Sequence, residues 1–206
     1  MDWKIIFDVI QSLAIVTASI VAILGINSWR EETKWKGKYE MAFEVLSLFY
    51  EAQENIRIIR EPASGGNEGK SRIRSEKESK VDSESLDLAY VARERYENHQ
   101  DPFIKLRTLK PRFRALFGNG SQIPFDDLSK LMSNIFLAAH FLGTRYWKDR
   151  PHRIKTPEEF ERDIEQMNKF EAIIWRNFKQ PDEIEIQVDA IISEIEFFCL
   201  PILSKK

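Results

Sequence analysis

From Val9 to Trp29 the chain holds no charged side chain, and Asp8 and Arg30 bracket the run. Wound as a helix, this stretch is about 31 Å long, against a bilayer hydrocarbon core of about 30 Å. It can be read as a membrane span, a buried core helix or a signal peptide. A signal peptide needs a basic start and a shorter apolar core, whereas Asp2 and Asp8 surround a lone Lys4 here. A single-domain core seldom holds so long an uncharged helix. The pattern therefore predicts a transmembrane anchor over 1–30, spanning Val9 to Trp29. Asp8 marks the outer headgroup boundary, because a carboxylate inside the hydrocarbon costs several kcal/mol.

Beyond the anchor, apolar residues recur at Trp35, Tyr39, Ala42, Leu46, Phe49, Ile56 and Ile59. These helical spacings of three, four and seven define one face. Met41, Val45, Leu48 and Ala52 widen that face, as expected of a helix covered on two sides, and Gly37 could act as a joint near the membrane. Residues 61–85 are rich in Gly, Ser and mixed charge, and this composition predicts a disordered loop. A helix beginning near Val81 or Leu86 is expected to reach His99. The next stretch should be interrupted at Pro111 and end at the Gly118–Gly120 turn. The apolar segment from Pro124 to Trp147 is too short between Lys130 and Arg145 for a second span.

Thr156, Pro157 and Glu159 form a capping-box start for a helix carrying Phe160, Ile164, Met167, Phe170, Ile174 and Phe178. A last helix should run from about Pro181 to Leu200 and stop before Pro201. The predicted fold is all-α: one N-terminal transmembrane helix continuing into a cytoplasmic bundle of four to five helices, over 31–206.

Trp3, Trp29 and Trp35 bracket the apolar run, where amphipathic rings favour the interface. Bases near the run fix its expected orientation. Lys4 stands alone on the short side, against Arg30, Lys34, Lys36 and Lys38 on the long side, so the body should be cytoplasmic and the N-terminus outside. Within the span, Ala14, Ala18, Ala22 and Gly25 recur along one side, with Gln11 a turn earlier. Small residues at this spacing allow close helix approach, and a Gln can hydrogen-bond across it. A lipid-facing role explains the same residues.

The charge balance excludes an electrostatic partner for the molecule as a whole: 31 bases stand against 33 acids, a net charge of -2. The distribution is uneven. Bases dominate from 103 to 155, while acids dominate from 156 to 204. One explanation is that the two regions are neighbours and neutralise each other. The other is that Lys105, Arg107, Lys110, Arg112 and Arg114, in a stretch with no acid, touch anionic lipid headgroups. Nucleic acid is disfavoured, because no reading motif accompanies these bases.

No catalytic, cofactor-binding or metal site is expected. His99, His140 and His152 lie far apart in sequence and fit no metal-ligand spacing. Phosphate-binding loops, nucleophile elbows and dinucleotide fingerprints are absent from the sequence. His140, set in an apolar context, is expected as a hydrogen-bonded core or interhelical residue. The single Cys199 permits no internal disulfide and reads as an inert core thiol.

Lys38, Tyr39, Glu40 and Ala42, with Ile56, Arg57 and Arg60 after them and Phe198, Pro201 and Leu203 near the end, resemble a group of uncharacterised bacterial proteins. That group combines one membrane helix with a cytoplasmic helical body. The resemblance covers both ends of the chain but not its middle, and it implies a bacterial cytoplasmic-membrane setting without an activity. The expectation is a single-pass protein whose body serves as a protein-interaction, regulatory or effector module. Its expected partners are the membrane, a second copy of itself and an unidentified protein. An anionic-lipid-responsive module and, less favoured, a membrane-tethered enzyme are the alternatives.

Overall fold

A computed structural model of the chain describes residues 3–63, 65–148, 156–178 and 181–204. Among the described residues the protein is all-helical. Its elements are α1 (Trp3–Ile59), α2 (Lys80–Asn98), α3 (Asp101–Phe117), α4 (Ile123–Phe141), a π-helical turn (Leu142–Tyr146), α5 (Pro157–Ile174) and α6 (Glu183–Leu203).

Helix α1 contains 57 residues, which corresponds to about 86 Å. It passes Gly37 without a break, so that residue is not a joint. Its apolar first part is long enough to cross a membrane and is nowhere buried inside the protein. Burial begins at Met41 and recurs at Val45, Phe49, Ala52, Ile56 and Ile59. One helix therefore supplies both an uncovered apolar rod and the central element of a packed core.

Helix α6 runs antiparallel beside α1. Arg60 pairs with Asp182 at 3.0 Å, Gln53 donates to Asp189 at 2.8 Å, and Tyr50 donates its hydroxyl to Glu196 at 2.7 Å. Its inward face is Ile184, Val188, Ile191, Ile195 and Cys199. Helix α3 also descends along α1: Asn55 donates to the His99 carbonyl at 3.1 Å, just before α3 starts. Farther down, Phe113 and Phe49 both pack against Phe125, at 5.3 and 5.0 Å between ring centroids. Full burial of one such aromatic side chain stabilises by about 1.5–3 kcal/mol. Helix α4 packs on α2, α5 and α6 and closes the core with Leu128, Leu131, Ile135 and Ala138.

Several sequence expectations shift. Helix α3 is not interrupted at Pro111: the proline ring sits on the exposed side, while Leu106, Leu109 and Phe113 hold the buried side in place. Helix α6 continues through Pro201 to Leu203. Helix α5 has its capping box, with Thr156 accepting from the Glu159 amide, but ends at Ile174 and leaves Phe178 exposed beyond it. His140 is exposed rather than in the core, because it falls on the opposite face of α4 from Ile135, Ala138 and Ala139.

Helix α2 begins at Lys80, so residues 80–85 of the expected loop are helical, and charged groups of the loop before it pair with one another and with α2. Arg72 bridges Glu78 at 2.6 Å and Asp87 at 3.3 Å, and Glu68 pairs with Arg95 at 2.7 Å. Gly69 has a φ of 81°, and a Cβ there would lie 1.9 Å from the Asp87 carbonyl oxygen. The sequence expectation weighed apolar area alone, whereas this loop is held by charge and by a close backbone approach.

Candidate functional site

Residues of chemical interest gather on the apolar first part of α1, on the outer face of α3, in the cavity between α3 and α4 and at the buried arginines. Val9 to Trp29 are helical throughout. Gln11, Ala14, Ala18, Ala22 and Gly25 share one side of that helix and are all exposed, and nothing approaches within 4 Å of a Cβ built on Gly25. Eighteen residues complete five helical turns. The same line therefore continues through Glu40, Phe43, Ser47, Tyr50, Glu54 and Ile58, every one of them exposed. The small-residue side of the apolar segment and the open side of α1 in the body are a single stripe.

Of the five bases singled out on α3, Lys105, Arg107, Arg112 and Arg114 are exposed, and Lys110 is half-buried and bonded to Asp126. Arg114 donates to the Asn119 side-chain oxygen at 3.4 Å. Among the described residues, no carboxylate pairs with Lys105, Arg107, Arg112 or Arg114. Neutralisation by the acidic C-terminal helices does not account for them, because α3 packs chiefly on α1 and α4 and none of the four pairs with a carboxylate of α5 or α6 among the described residues. Arg145 to Asp163, at 3.8 Å, is the cross-region ion pair the described residues provide.

Between α3 and α4 lies a cavity of about 370 Å³, lined on one side by Phe103, Leu106, Arg107 and Lys110 and on the other by Phe125, Leu128, Ser129, Met132 and Phe136. The Lys110–Asp126 pair stands at one end, towards the turn joining the helices. At the other end Tyr96 packs on Phe103 and Phe136, at 5.3 and 5.1 Å, with the Arg93 guanidinium over the Phe136 ring. The volume is that of an ordinary small-ligand site. The hydroxyls of Ser129 and Ser133, both in its wall, donate to backbone carbonyls one turn earlier, so towards a guest they offer acceptors only.

Sequence reasoning missed two buried arginines. Arg60 donates to the carbonyls of Ile173, Ala172 and Trp175 as well as to Asp182, so the end of α1 is tied to the end of α5 and the start of α6. Asp182 in turn accepts from the amides of Asn177, Ile184 and Glu185, the last two capping α6. Burial works to raise the Asp182 carboxyl, but Arg60 and the Asn177 and Glu185 amides outweigh it and hold the group below its usual range. Arg95 performs a similar task, donating to Glu68 and to the carbonyls of Ile58, Glu61 and Ala63. Each arginine satisfies the otherwise orphan carbonyls of a helix end. Only Arg60, as one member of the resemblance, had any signal in the sequence.

Among the described residues no group of three or more His, Cys, Asp or Glu is placed to hold a metal ion. Cys199 is fully buried, and burial pushes its thiol up to about 12, so it remains protonated at neutral pH. The expected position of His152 lies outside the described residues. Comparison of the chain with protein-family models, with curated proteins and with solved structures gives no match.

Proposed function

We propose that this chain is a single-pass membrane protein of the cytoplasmic membrane, with residues 1–30 as its anchor, its N-terminus outside and residues 31–206 as a helical interaction module in the cytoplasm. The module acts as a regulator or effector by holding a protein partner, or a second copy of itself, beside the bilayer. The observation that carries this reading is the continuity of α1: an uncovered apolar stretch long enough to span passes directly into the helix on which the body is packed. The basic residues Arg30, Lys34, Lys36 and Lys38 support the orientation. Gln11, Ala14, Ala18, Ala22 and Gly25 offer the face through which copies would meet.

Alkaline extraction and sided proteolysis of bacterial membranes test it. The full chain is expected to stay in the membrane pellet at high pH. Protease should degrade the body, residues 31–206, in inverted vesicles but not in intact spheroplasts. Release into the supernatant, or digestion of the body from the outside, would overturn the anchor or its orientation respectively.

A further inference from the structure

We infer that the C-terminal end of α3, through Arg112 and Arg114, is a docking surface for anionic lipid headgroups, and that Lys105 and Arg107 on the same helix are not part of it. The inference rests on the single-span reading above and adds to it a second, electrostatic contact between the body and the bilayer.

Direction along α1 is the first step. The partners of α6 on α1 descend from Arg60 through Gln53 to Tyr50 as α6 proceeds from Asp182 to Glu196. The last turn of α6 therefore lies level with about residues 39–43 of α1. Helix α3 enters beside Asn55 and descends in the same way, so its final turn lies level with about residues 37–41. Both helices point their C-terminal ends towards the span. Those ends, with the turn before α4, form the base of the bundle.

Height above the bilayer is the second step. From Arg30, where the uncharged run ends, the level of Arg114 is about 15 Å along α1 and that of Arg112 about 18 Å. The headgroup layer takes up about 5–7 Å of that distance. An extended arginine side chain and a screening length of about 8 Å close the remainder. Lys105 lies about 14 Å higher than Arg114, and Arg107 about 8 Å higher than Arg112, beyond that reach. A spanning helix cannot lie down to bring the whole strip onto the membrane.

Composition is the third step. Arg112 and Arg114 are exposed, pair with no carboxylate among the described residues, and follow a stretch of α3 that has no acid after Asp101. Of the acids near that height, Glu40 lies against Lys36 and Asp126 bonds Lys110, while Glu44 on α1 makes no ion pair with either arginine among the described residues. Leu116 and Ile123 at the same end are 36% and 47% exposed, which places apolar side chains beside the bases. Bases interleaved with apolar side chains suit the headgroup boundary of an anionic bilayer, where each base near the surface strengthens attraction about fivefold.

The test uses the full chain in nanodiscs of phosphatidylcholine alone or mixed with phosphatidylglycerol, with an environment-sensitive fluorophore on Ala115→Cys. Cys199 is buried and stays unlabelled. Phosphatidylglycerol is expected to shift the emission to the blue and to raise quenching by headgroup spin labels several-fold. Arg112→Glu with Arg114→Glu should abolish both effects, as should high salt, while Lys105→Glu with Arg107→Glu should leave them. The same fluorophore on Asn98→Cys, at the far end of the bundle, should not respond. A signal at 115 that ignores lipid charge, or one that depends equally on Lys105 and Arg107, overturns the inference while the anchor stands. A chain that does not co-elute with the discs removes the anchor and the inference together.

Discussion

Arg60 and Asp182, separated by 122 positions in the chain, meet at 3.0 Å with each side chain only 1% exposed. Both charges are withdrawn from water, and both are saturated by hydrogen bonds to the ends of α5 and α6. Replacing Arg60 with Ala strands the carboxylate and three carbonyls together, and the expected cost is about 3–5 kcal/mol. Asp182→Asn keeps an acceptor at the cap of α6 and should cost less. Thermal unfolding of the detergent-solubilised chain, followed by circular dichroism, measures both; equal losses would show that stranding the carboxylate and the carbonyls adds nothing to the loss of the pair itself.

Gly143, in the π-helical turn, lies where an added Cβ would come within 2.5 Å of the Ala89 Cβ on α2. Gly143→Ala should therefore destabilise by about 1–3 kcal/mol through overpacking. Ala89→Gly removes the opposing methyl at a helix-propensity cost of about 1 kcal/mol. Combining the two should recover most of the first loss, and a double-mutant cycle reads the coupling directly. Additive losses would mean that the two helices do not approach as closely as described.

These relationships show where the sequence stops being informative. Apolar periodicity at Val45, Phe49, Ala52 and Ile56 identified the buried side of α1, and the Thr156–Glu159 spacing located the start of α5. Both signals are local. Arg60, Arg95 and Gly143 matter only through partners brought close by folding, and no window of sequence contains both members. Pro111 misled for a related reason: its local penalty is outweighed by the burial of Leu106, Leu109 and Phe113 on the other side of α3. The basic segment was legible as a segment. Which end of it lies towards the apolar segment of α1 is set by the direction of α3, which periodicity does not encode.

The loop before α2 should respond to acid. The Arg72 guanidinium is the main cause that holds the Glu78 carboxyl down to about 2, and Arg95 holds Glu68 below its usual 4.5. A carboxylate whose folded value is depressed contributes stability above its unfolded value and loses it as the pH falls through the folded one. Docking of 65–79 should therefore be complete at neutral pH and weaken from about pH 4.5 towards about 2. Hydrogen exchange of the loop amides measures it, and protection that stays flat over this range would contradict the ionic latch. Gly69→Ala, strained by its positive φ and by the Asp87 carbonyl, should release the same loop at pH 7. Faster tryptic cleavage at Lys70, Arg72 and Arg74 would report that release.

Self-association through the span predicts that Ala18→Leu, which adds bulk to the small-residue line, weakens it several-fold, whereas Ile20→Leu on a different side leaves it unchanged. Energy transfer between labelled copies in one bilayer measures the difference. Equal transfer for the wild type and both variants would remove this face as the contact.

The single stripe from Gln11 to Ile58 makes α1 a drive shaft. Because α1 is one unbroken helix, the azimuth of its apolar first part and that of the packed body are fixed relative to each other. One residue inserted between Glu31 and Lys38 would turn the whole body by about 100° around the axis, and a second insertion would turn it again. The stalk is thus a gear whose teeth are counted in residues.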